Sequence, residues 1–419
     1  MNSPLSFCMI TTFFPPFNFG GDGVFVEHLT DALARLGHRV DVIHCMDSYR
    51  VLSGHLPKST RIQHPNVTVH SLKSPFGFLS PLSTHQTGYP IFKSKRIRDI
   101  LAKGFDVIHY HNISLVGGPE VVRFGEGIKL YTLHEYWLVC PMHVLFKFSR
   151  AECKQRSCLV CSLAHKRPPQ FWRYFYSFER IKKHIDLFLT PSRFCMEKHR
   201  EMGFDAPMAH LPNFVPFSEK IFICCPDVSD RENIPYFLFV GRLEKIKGIQ
   251  TLIPTFRHYP KAELWIAGKG SYEGHLKHLA KDSVNIRFLG YQRGESLAEL
   301  YRNAIAVIIP SLCYEISSLV IPEAFTHRTP VIARKLGGMP EIVEKSNAGI
   351  LFETEDELLH ALDYLAENPS HRRALGERGY KAYLEYWSPN IHLKKYFELI
   401  DKVKDKKSTN NHIPTGDFL

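Results

Sequence analysis

The sequence has no long apolar segment. Its apolar runs are short, as the six residues of Ala304–Ile309 illustrate, whereas a membrane-spanning helix needs roughly 20. The first residues lack the basic lead and the small-residue cleavage site of a signal peptide. We therefore expect a cytoplasmic protein whose chain opens with an apolar strand over Leu5–Thr12.

Two familiar phosphate-binding motifs are also missing. The glycine-rich stretch Pro15–Gly23 matches neither the GxGxxG spacing of dinucleotide-binding domains nor the GxxxxGK[ST] motif of P-loops. Gly20 and Gly21 nevertheless lie between a predicted strand and helix, where backbone amides can approach a phosphate. A simple tight turn is the other interpretation of these two glycines.

Positive charge is concentrated in the first half of the chain. Residues 1–200 carry 26 Lys and Arg against 14 Asp and Glu, and ten of these cations lie between residues 143 and 183. Such a patch suits an anionic surface, although a basic face without any partner has the same composition. No recognised nucleic-acid-binding motif accompanies it, so we expect no nucleic-acid partner.

Apolar periodicity predicts two series of alternating strands and helices. Between them, residues 216–235 contain three prolines and scattered polar residues, a pattern typical of a linker. Each series predicts an α/β, Rossmann-like, doubly wound parallel sheet. Ligands bind at the carboxyl ends of such strands, so we expect a cleft that faces both sheets.

The predicted strands and helices have definite bounds. The first series has strands Leu5–Thr12, Val40–His44, Val107–His109, Leu130–Leu133, Leu187–Thr190 and Ala209–Leu211, with helices over Gly23–Leu36 and Phe171–His184. The second series has strands Phe237–Val240, Glu263–Ala267, Asn285–Leu289, Ala306–Ile309, Val331–Ala333 and Gly349–Phe352.

Charged residues and glycines follow three strands of the second series. Arg242 and Lys247 come after the first strand, where a guanidinium and an ammonium can clamp a diphosphate, although plain surface cations fit the same pattern. Glu315 follows the fourth strand, and Glu323 lies about one turn into the next helix, capped by Ser317 or Ser318. Carboxylates there suit the hydroxyls of a sugar or ribose.

Another glycine turn, Gly337-Gly338, follows the strand Val331–Ala333. Its amides could cradle a phosphate or a sugar oxygen.

The order of all these pieces resembles the family-4 glycosyltransferases of the GT-B fold, also called group 1 glycosyltransferases. The most specific part is Pro310–Val343, with the E-x7-E pair, the strand Thr329–Ala333 and the GGxPE turn Gly337–Glu341.

Supporting matches cover nearly the whole chain. They are Gly20-Gly21, Val240–Gly248, His134 within Thr132–Glu135, Pro191–Phe194, Leu211–Phe214 and Trp387-Ser388. The resemblance implies an acceptor-side domain over residues 1–215 with an insert over 138–168, the linker, and a donor-binding domain over 236–387. A last helix, about 388–405, would return to the first domain before a polar tail, 406–419.

The resemblance also implies an activity. A hexosyl-type sugar would move with retention from a UDP-, GDP- or ADP-sugar to a glycan or lipid-linked acceptor, in polysaccharide or glycolipid synthesis, without a catalytic metal or other required cofactor. Arg242 and Lys247 would hold the diphosphate, with Gly20-Gly21 beside it. Glu323 would bind the ribose.

In the same resemblance Glu315 would bind the transferred sugar and His134 would lie beside the reacting centre. Ile316-Ser317-Ser318 replaces the glycine and aromatic residue that many members have after the first glutamate, so sugar choice is expected to differ. Two other functions stay open, namely a GT-B enzyme with other nucleotide-sugar chemistry, such as an epimerase, and a non-catalytic binding protein.

Four cysteines lie close together in the insert. Cys140, Cys153, Cys158 and Cys161 give a C-x12-C-x4-C-x2-C pattern, for which we expect a structural zinc ion. Unligated cysteines, a redox pair at Cys158 and Cys161, and an iron–sulfur cluster are the alternatives. Because this insert overlaps the basic stretch, we expect residues 140–183 to form an acceptor-side platform, peripheral on the inner membrane face.

Overall fold

The computed structural model describes residues 3–54, 56–57, 62–175, 181–216 and 234–409. The chain divides into two compact units, one of Met1–Asn213 with Leu393–Leu419 and the other of Phe214–His392. Most of the predicted linker, including Cys224 and Cys225, and most of the predicted tail lie outside the described residues.

A parallel sheet forms the centre of the first unit. Within the described residues its seven strands run in the order β3-β2-β1-β4-β5-β8-β9, and the paired strands are parallel. Its inner strands are almost wholly buried, as the five residues of Ile128–Thr132 show. The strands are β1 Ser6–Ile10, β2 Arg39–Cys45, β3 Val67–Leu72, β4 Val107–Tyr110, β5 Ile128–Thr132, β8 Leu187–Thr190 and β9 Met208–His210.

Helices pack around this sheet, and a small hairpin lies in the predicted insert. The hairpin pairs β6, Phe146–Lys147, with β7, Ala151–Glu152, in antiparallel fashion. The described α-helices of the unit are Gly21–Arg35, Met46–Ser53, Leu79–Thr87, Ser94–Leu101, Cys158–Ala164, Trp172–Phe175 and Arg193–Glu201. Short 3-10 helices cover Pro119–Arg123 and Tyr136–Leu138.

The second unit contains another parallel sheet. Its six strands, all among the described residues, run in the order β12-β11-β10-β13-β14-β15, so the order reverses at β10 and β13. Apolar side chains of both sheet faces are buried against helices. The strands are β10 Tyr236–Val240, β11 Glu263–Ala267, β12 Ile286–Gly290, β13 Val307–Ile309, β14 Val331–Arg334 and β15 Gly349–Phe352.

The helices of this unit follow its strands in turn. They are Leu252–Arg257, Glu273–Leu279, Gly294–Asn303, Val320–Thr326, Met339–Ser346, Glu355–Glu367 and Pro369–Ala382, with 3-10 turns over Lys245–Lys247 and Ile249–Thr251 and a π-helical turn over Tyr383–Trp387. Glu355–Glu367 begins with a complete capping box, in which Thr354 accepts from the Glu357 amide and the Glu357 side chain accepts in return.

The last helix, Pro389–Ser408, starts within the second unit and continues in the first. Tyr396 stacks on Phe7 of β1 at 6.2 Å between ring centroids. Near the end of the helix, Lys407 forms an ion pair with Asp186 at 2.7 Å and donates to the Gly127 carbonyl. Aromatic packing and an ion pair therefore attach this helix to the first unit.

All twelve predicted strands are confirmed, with ends within about two residues of the observed ones. The edge strand β3 was missed, because its half-exposed, polar-rich sequence VTVHSL carries a weak apolar pattern. Of the helix predicted over Phe171–His184, Trp172–Phe175 and residues 181–182 are helical, and residues 176–180 lie outside the described part.

Candidate active site

Two loops of the second unit meet at the carboxyl ends of β10 and β13. Gly248 has a left-handed φ of 78°, and a Cβ atom on it would lie 2.0 Å from the carbonyl oxygen of Pro310. The amide of Leu312 donates to the carbonyl of Ile246 at 2.8 Å. Only glycine allows so close an approach at position 248, so the sequence of this turn sets the distance between the two loops.

The two loops hold a part-buried ion pair. Lys247 Nζ donates to Glu315 Oε1 at 2.6 Å, and Ser311 Oγ donates to the same oxygen at 2.7 Å. Burial opposes both charges, but the attraction between the two groups is stronger. The pKa of Lys247 is therefore raised and that of Glu315 is lowered. Both groups are therefore charged at neutral pH. Neither of these two hydrogen bonds uses the other carboxylate oxygen, Glu315 Oε2.

A third loop packs against the backbone of Glu315. Gly338 donates its amide to the Glu315 carbonyl at 2.7 Å. Gly337 has a φ of 68°, and a Cβ atom there would lie 2.6 Å from the same carbonyl oxygen. The turn predicted to cradle a ligand thus supports Glu315, and the Gly338 amide is used within the protein.

Arg242 lies at the exposed side of this group. Its guanidinium donates to Glu244 Oε1 at 2.7 Å, and 45% of its side chain is exposed. An ion pair that is so exposed to water contributes little stability, so a ligand can compete with Glu244 for the guanidinium. The Arg242 charge also contributes to lowering the pKa of Glu315. The structure therefore brings Arg242, Lys247, Glu315 and the Gly337-Gly338 turn together.

Glu323 occupies a different environment. It lies in the helix Val320–Thr326, and Tyr301 donates its hydroxyl to Glu323 Oε2 at 2.8 Å. Burial raises the pKa of Glu323 to about 7, and the Tyr301 hydroxyl only partly offsets that rise. The predicted capping by Ser317 or Ser318 is wrong, because the helix begins after Leu319 and no side chain caps it.

The predicted residues of the first unit lie at the carboxyl edge of its sheet. Gly21 begins a helix of 15 residues after β1, and Gly20 precedes it in an extended conformation. His134 follows β5, and its Nε2 lies 2.9 Å from Nδ1 of His111, the residue after β4. β1, β4 and β5 are neighbours in the sheet.

Sequence reasoning missed Ser311, Tyr301 and His111. His111 comes directly after a buried strand and Ser311 two residues after one, which is a usable signal in a parallel sheet. Tyr301 lies near the end of the preceding helix, Gly294–Asn303. Its contact with Glu323 depends on how that helix packs, and nothing in the sequence pattern marks it.

The four cysteines of the insert are free thiols, and Cys140 and Cys161 are buried. Cys140 precedes the hairpin, Cys153 follows it, and Cys158 begins the helix that also carries Cys161. Among the described residues, no three His, Cys, Asp or Glu side chains are placed to hold a metal ion as they stand. Zinc at this position stays a prediction.

Two family models match the chain. The model described as glycosyltransferase family 4 matches residues 19–219, and the model described as glycosyl transferases group 1 matches residues 227–382. The chain belongs to the family-4 glycosyltransferases. The predicted GT-B fold of two Rossmann-like units is likewise confirmed by the solved structures that this enzyme resembles.

Two curated relatives of the enzyme match more than four fifths of this chain. An uncharacterised glycosyltransferase of Methanocaldococcus jannaschii is 27% identical over 83% of this chain and 84% of its own. Alpha-monoglucosyldiacylglycerol synthase of Acholeplasma laidlawii is 24% identical over 91% of this chain and 94% of its own.

Two solved structures illustrate the shared fold. Sucrose-phosphate synthase of Thermosynechococcus elongatus has a TM-score of 0.72 at 20% identity, covering 96% of this chain and 99% of its own. HepE of Anabaena, solved with UDP-glucose, has a TM-score of 0.65 at 16% identity, covering 95% and 100%. None of the described helices of the present enzyme combines the length and apolar character needed to cross a bilayer.

Replacing Glu323 by Gln should remove a pH dependence of stability. The carboxyl group has a pKa of about 7 in the fold and an ordinary value of 4.5. The folded state therefore keeps a proton that the unfolded chain loses, and stability falls as the pH rises from the ordinary value through the folded one. At pH 8 the variant should be more stable than wild type by up to roughly 3 kcal/mol, and at pH 4.5 about equal.

Urea unfolding at both pH values measures this difference. The exposed Glu344→Gln, in the next helix, is the matched control and should leave the pH dependence of wild type intact. An equal effect of Glu323→Gln at both pH values would show that the carboxyl is not protonated in the folded enzyme.

Proposed function

We propose that the enzyme transfers a hexosyl group, with retention of anomeric configuration, from a nucleotide-diphosphate sugar to a glycan or lipid-linked acceptor. The Lys247–Glu315 pair, held against the Gly337-Gly338 turn, is the observation that carries the proposal. It provides a cation and a carboxylate at one strand edge, where such folds bind ligands. Cell-surface polysaccharide or glycolipid synthesis is the proposed setting.

The diphosphate would bind Arg242 and Lys247. Both cations lower the pKa of the same carboxylate, Glu315. A phosphate bound to one cation would therefore be attracted by the other as well. The leaving group of the reaction is a nucleoside diphosphate, whose growing negative charge these cations can stabilise in place of a metal ion. The first unit offers Gly20-Gly21 at the start of a long helix, where amides also favour phosphate.

Glu315 is proposed to bind the transferred sugar. Lys247 and Ser311 both donate to Oε1, which leaves Oε2 to accept from a sugar hydroxyl. Because Lys247 keeps the carboxylate ionised, Glu315 acts as an acceptor only. Glu323 is proposed to accept from the ribose hydroxyls, at a carboxyl already oriented by Tyr301.

The comparisons support this proposal at the level of substrate class. HepE was solved with UDP-glucose, and the Acholeplasma relative is a glucosyldiacylglycerol synthase by its name. A nucleotide-sugar donor and a lipid-linked acceptor are therefore chemistries that similar proteins handle. An epimerase-like activity is separated from transfer by its product.

Arg242→Ala should weaken the reaction with the nucleotide-sugar donor. The variant should still fold, because the Arg242 side chain is half exposed. Screening UDP-, GDP- and ADP-sugars for thermal stabilisation identifies the donor. With that donor, kcat/KM of the variant should fall by about 100-fold, since a charge-stabilising group is lost. The exposed Arg293→Ala serves as the control and should match wild type.

NMR of the product tests the stereochemistry. The product's new anomeric bond should keep the configuration of the donor. An inverted bond would refute retention, and an epimerised sugar without transfer would refute the transferase proposal.

We further propose that the insert contacts an anionic membrane surface. The helix Cys158–Ala164 buries Cys161 and Ser162 while Leu159, Val160 and Leu163 are 46%, 59% and 56% exposed. This exposed apolar face lies within the basic stretch of residues 143–183. Apolar side chains surrounded by cations suit a surface of anionic lipid head groups.

Leu163→Ser combined with Lys166→Ser should weaken membrane binding, because one apolar and one charged contact are removed. Flotation with vesicles containing anionic lipid measures the bound fraction, which should also fall as salt rises. Val284→Ser, at an exposed position in the second unit, is the control. Equal flotation with purely neutral vesicles would contradict the proposal.

We also propose that the four cysteines bind a structural zinc ion. The Cys153 amide donates to the Leu145 carbonyl at 2.8 Å, which closes the hairpin between Cys140 and Cys153. Burial raises the pKa of the Cys140 thiol, and the backbone amides of Leu145, Met142 and Val144 partly offset that rise. The pKa of the Cys153 thiol is raised by burial and by the nearby Cys140, Cys158 and Cys161. Turned toward one another, the four thiols would form the all-cysteine, tetrahedral ligand set that is common in structural zinc sites.

Metal analysis of protein purified without chelator should find about one zinc per chain. Cys158→Ser should lower that content, whereas Cys8→Ala, in β1, should retain it. Finding neither zinc nor iron would refute a metal site, and iron in place of zinc would assign an iron–sulfur cluster instead.

A further inference from the structure

Three histidines meet at the carboxyl edge of the first sheet. His109 lies in β4, His111 follows β4, and His134 follows the neighbouring strand β5. The His111 and His134 rings stack at 5.2 Å with an angle of 22°. Their facing nitrogens, Nδ1 of His111 and Nε2 of His134, are 2.9 Å apart. The two side chains thus share one hydrogen bond.

Both of these rings are uncharged at neutral pH. Burial lowers the pKa of His134 to about 4 and that of His111 well below its ordinary value. A hydrogen bond between two neutral imidazoles requires one N–H and one bare nitrogen, so one ring donates and the other accepts. Two arrangements are possible. Nδ1 of His134 carries a proton if His111 donates and only a lone pair if His134 donates.

The surroundings of His111 distinguish the two arrangements. His111 is 1% exposed, and its Nε2 has no hydrogen-bond partner among the described residues. If His134 donated, the proton of His111 would lie on this Nε2, as a buried N–H without an acceptor. Such orphaned N–H groups are rare in folded proteins. If His111 donates from Nδ1, its buried Nε2 carries only a lone pair.

The position of the His134 proton follows from that of His111. With His111 donating from Nδ1, Nε2 of His134 accepts, and the single proton of the neutral His134 ring lies on Nδ1. The Asp22 carboxylate acts to raise the pKa of His134, against the larger lowering by burial. Asp22 itself accepts from Asn112 Nδ2 at 3.2 Å.

A second row of contacts fixes the His111 ring. His109 packs on it at 4.1 Å between ring centroids. His109 is in turn held on both sides, by Thr132 Oγ1 at 2.7 Å from Nε2 and by the Tyr396 hydroxyl at 2.9 Å from Nδ1. His111 therefore has little freedom to turn away from His134.

We propose that His111 is a positioning residue, which donates its Nδ1–H to His134 and so presents the Nδ1–H of His134 as a donor to a substrate oxygen. The role of that donor rests on the proposed transferase function, with a sugar oxygen as its acceptor. The proton arrangement itself is a property of the free protein and is independent of the reaction.

NMR of the full-length protein with ¹⁵N-labelled histidine tests the arrangement. Long-range ¹H–¹⁵N correlations, assigned with single variants, distinguish Nδ1–H from Nε2–H rings. His134 should carry its proton on Nδ1, and His111→Leu should convert it to a mixture of both forms. His111→Asn, whose amide supplies an N–H at the same place, should restore the single form.

His44→Asn is the matched control. His44 is a buried histidine of β2 with its pKa lowered to about 4, and it binds Ser71 rather than His134. Its replacement should leave the His134 signals unchanged. A proton on Nε2 of His134 in wild type, or an unchanged His134 in His111→Leu, would overturn the proposal, whether or not the enzyme transfers a sugar.

Kinetics test the consequence. His111→Leu should lower kcat about tenfold, the equivalent of one hydrogen bond, with a smaller effect on the donor KM. His111→Asn should recover most of the rate. Wild-type kcat in His111→Leu would refute the positioning role, whereas an inactive wild type would refute the transferase proposal and leave the NMR result standing.

Discussion

The ion pair between Lys247 and Glu315 is the interaction on which the second unit's site depends. It joins the loops after β10 and β13, and its charges persist because each offsets the burial of the other. A part-buried pair of this kind contributes little net stability, but removing one partner leaves an uncompensated charge. The pair therefore fixes the orientation of a carboxylate and retains a cation beside it.

Glycine makes this pair possible. At Gly248 and Gly337 a side chain would collide with the backbone of Pro310 or Glu315, and both glycines have positive φ. The loops can therefore approach to hydrogen-bonding distance and present Glu315 from a rigid base. The first unit solves a similar problem with neutral groups, because burial keeps His111 and His134 uncharged and a single shared proton orients them.

Sequence patterns predicted the two parallel sheets and their strands because strand periodicity and strand-end glycines are local signals. They also selected Arg242, Lys247, Glu315 and Glu323, since charged residues in the loop or helix that follows a buried strand are conspicuous. They did not show that Lys247 and Glu315 pair with each other, or that Tyr301 binds Glu323. Those contacts join residues 68 and 22 positions apart and depend on packing.

The sequence by itself determined the family, the order of the strands along the chain and the residue types at each strand end. Tertiary structure decided which of these side chains are charged. Glu315 is ionised beside Lys247, whereas Glu323, part-buried beside a hydroxyl, has a pKa of about 7. The physical reason is that ionisation depends on neighbouring charges and on burial, and both arise only when distant segments of the chain pack together.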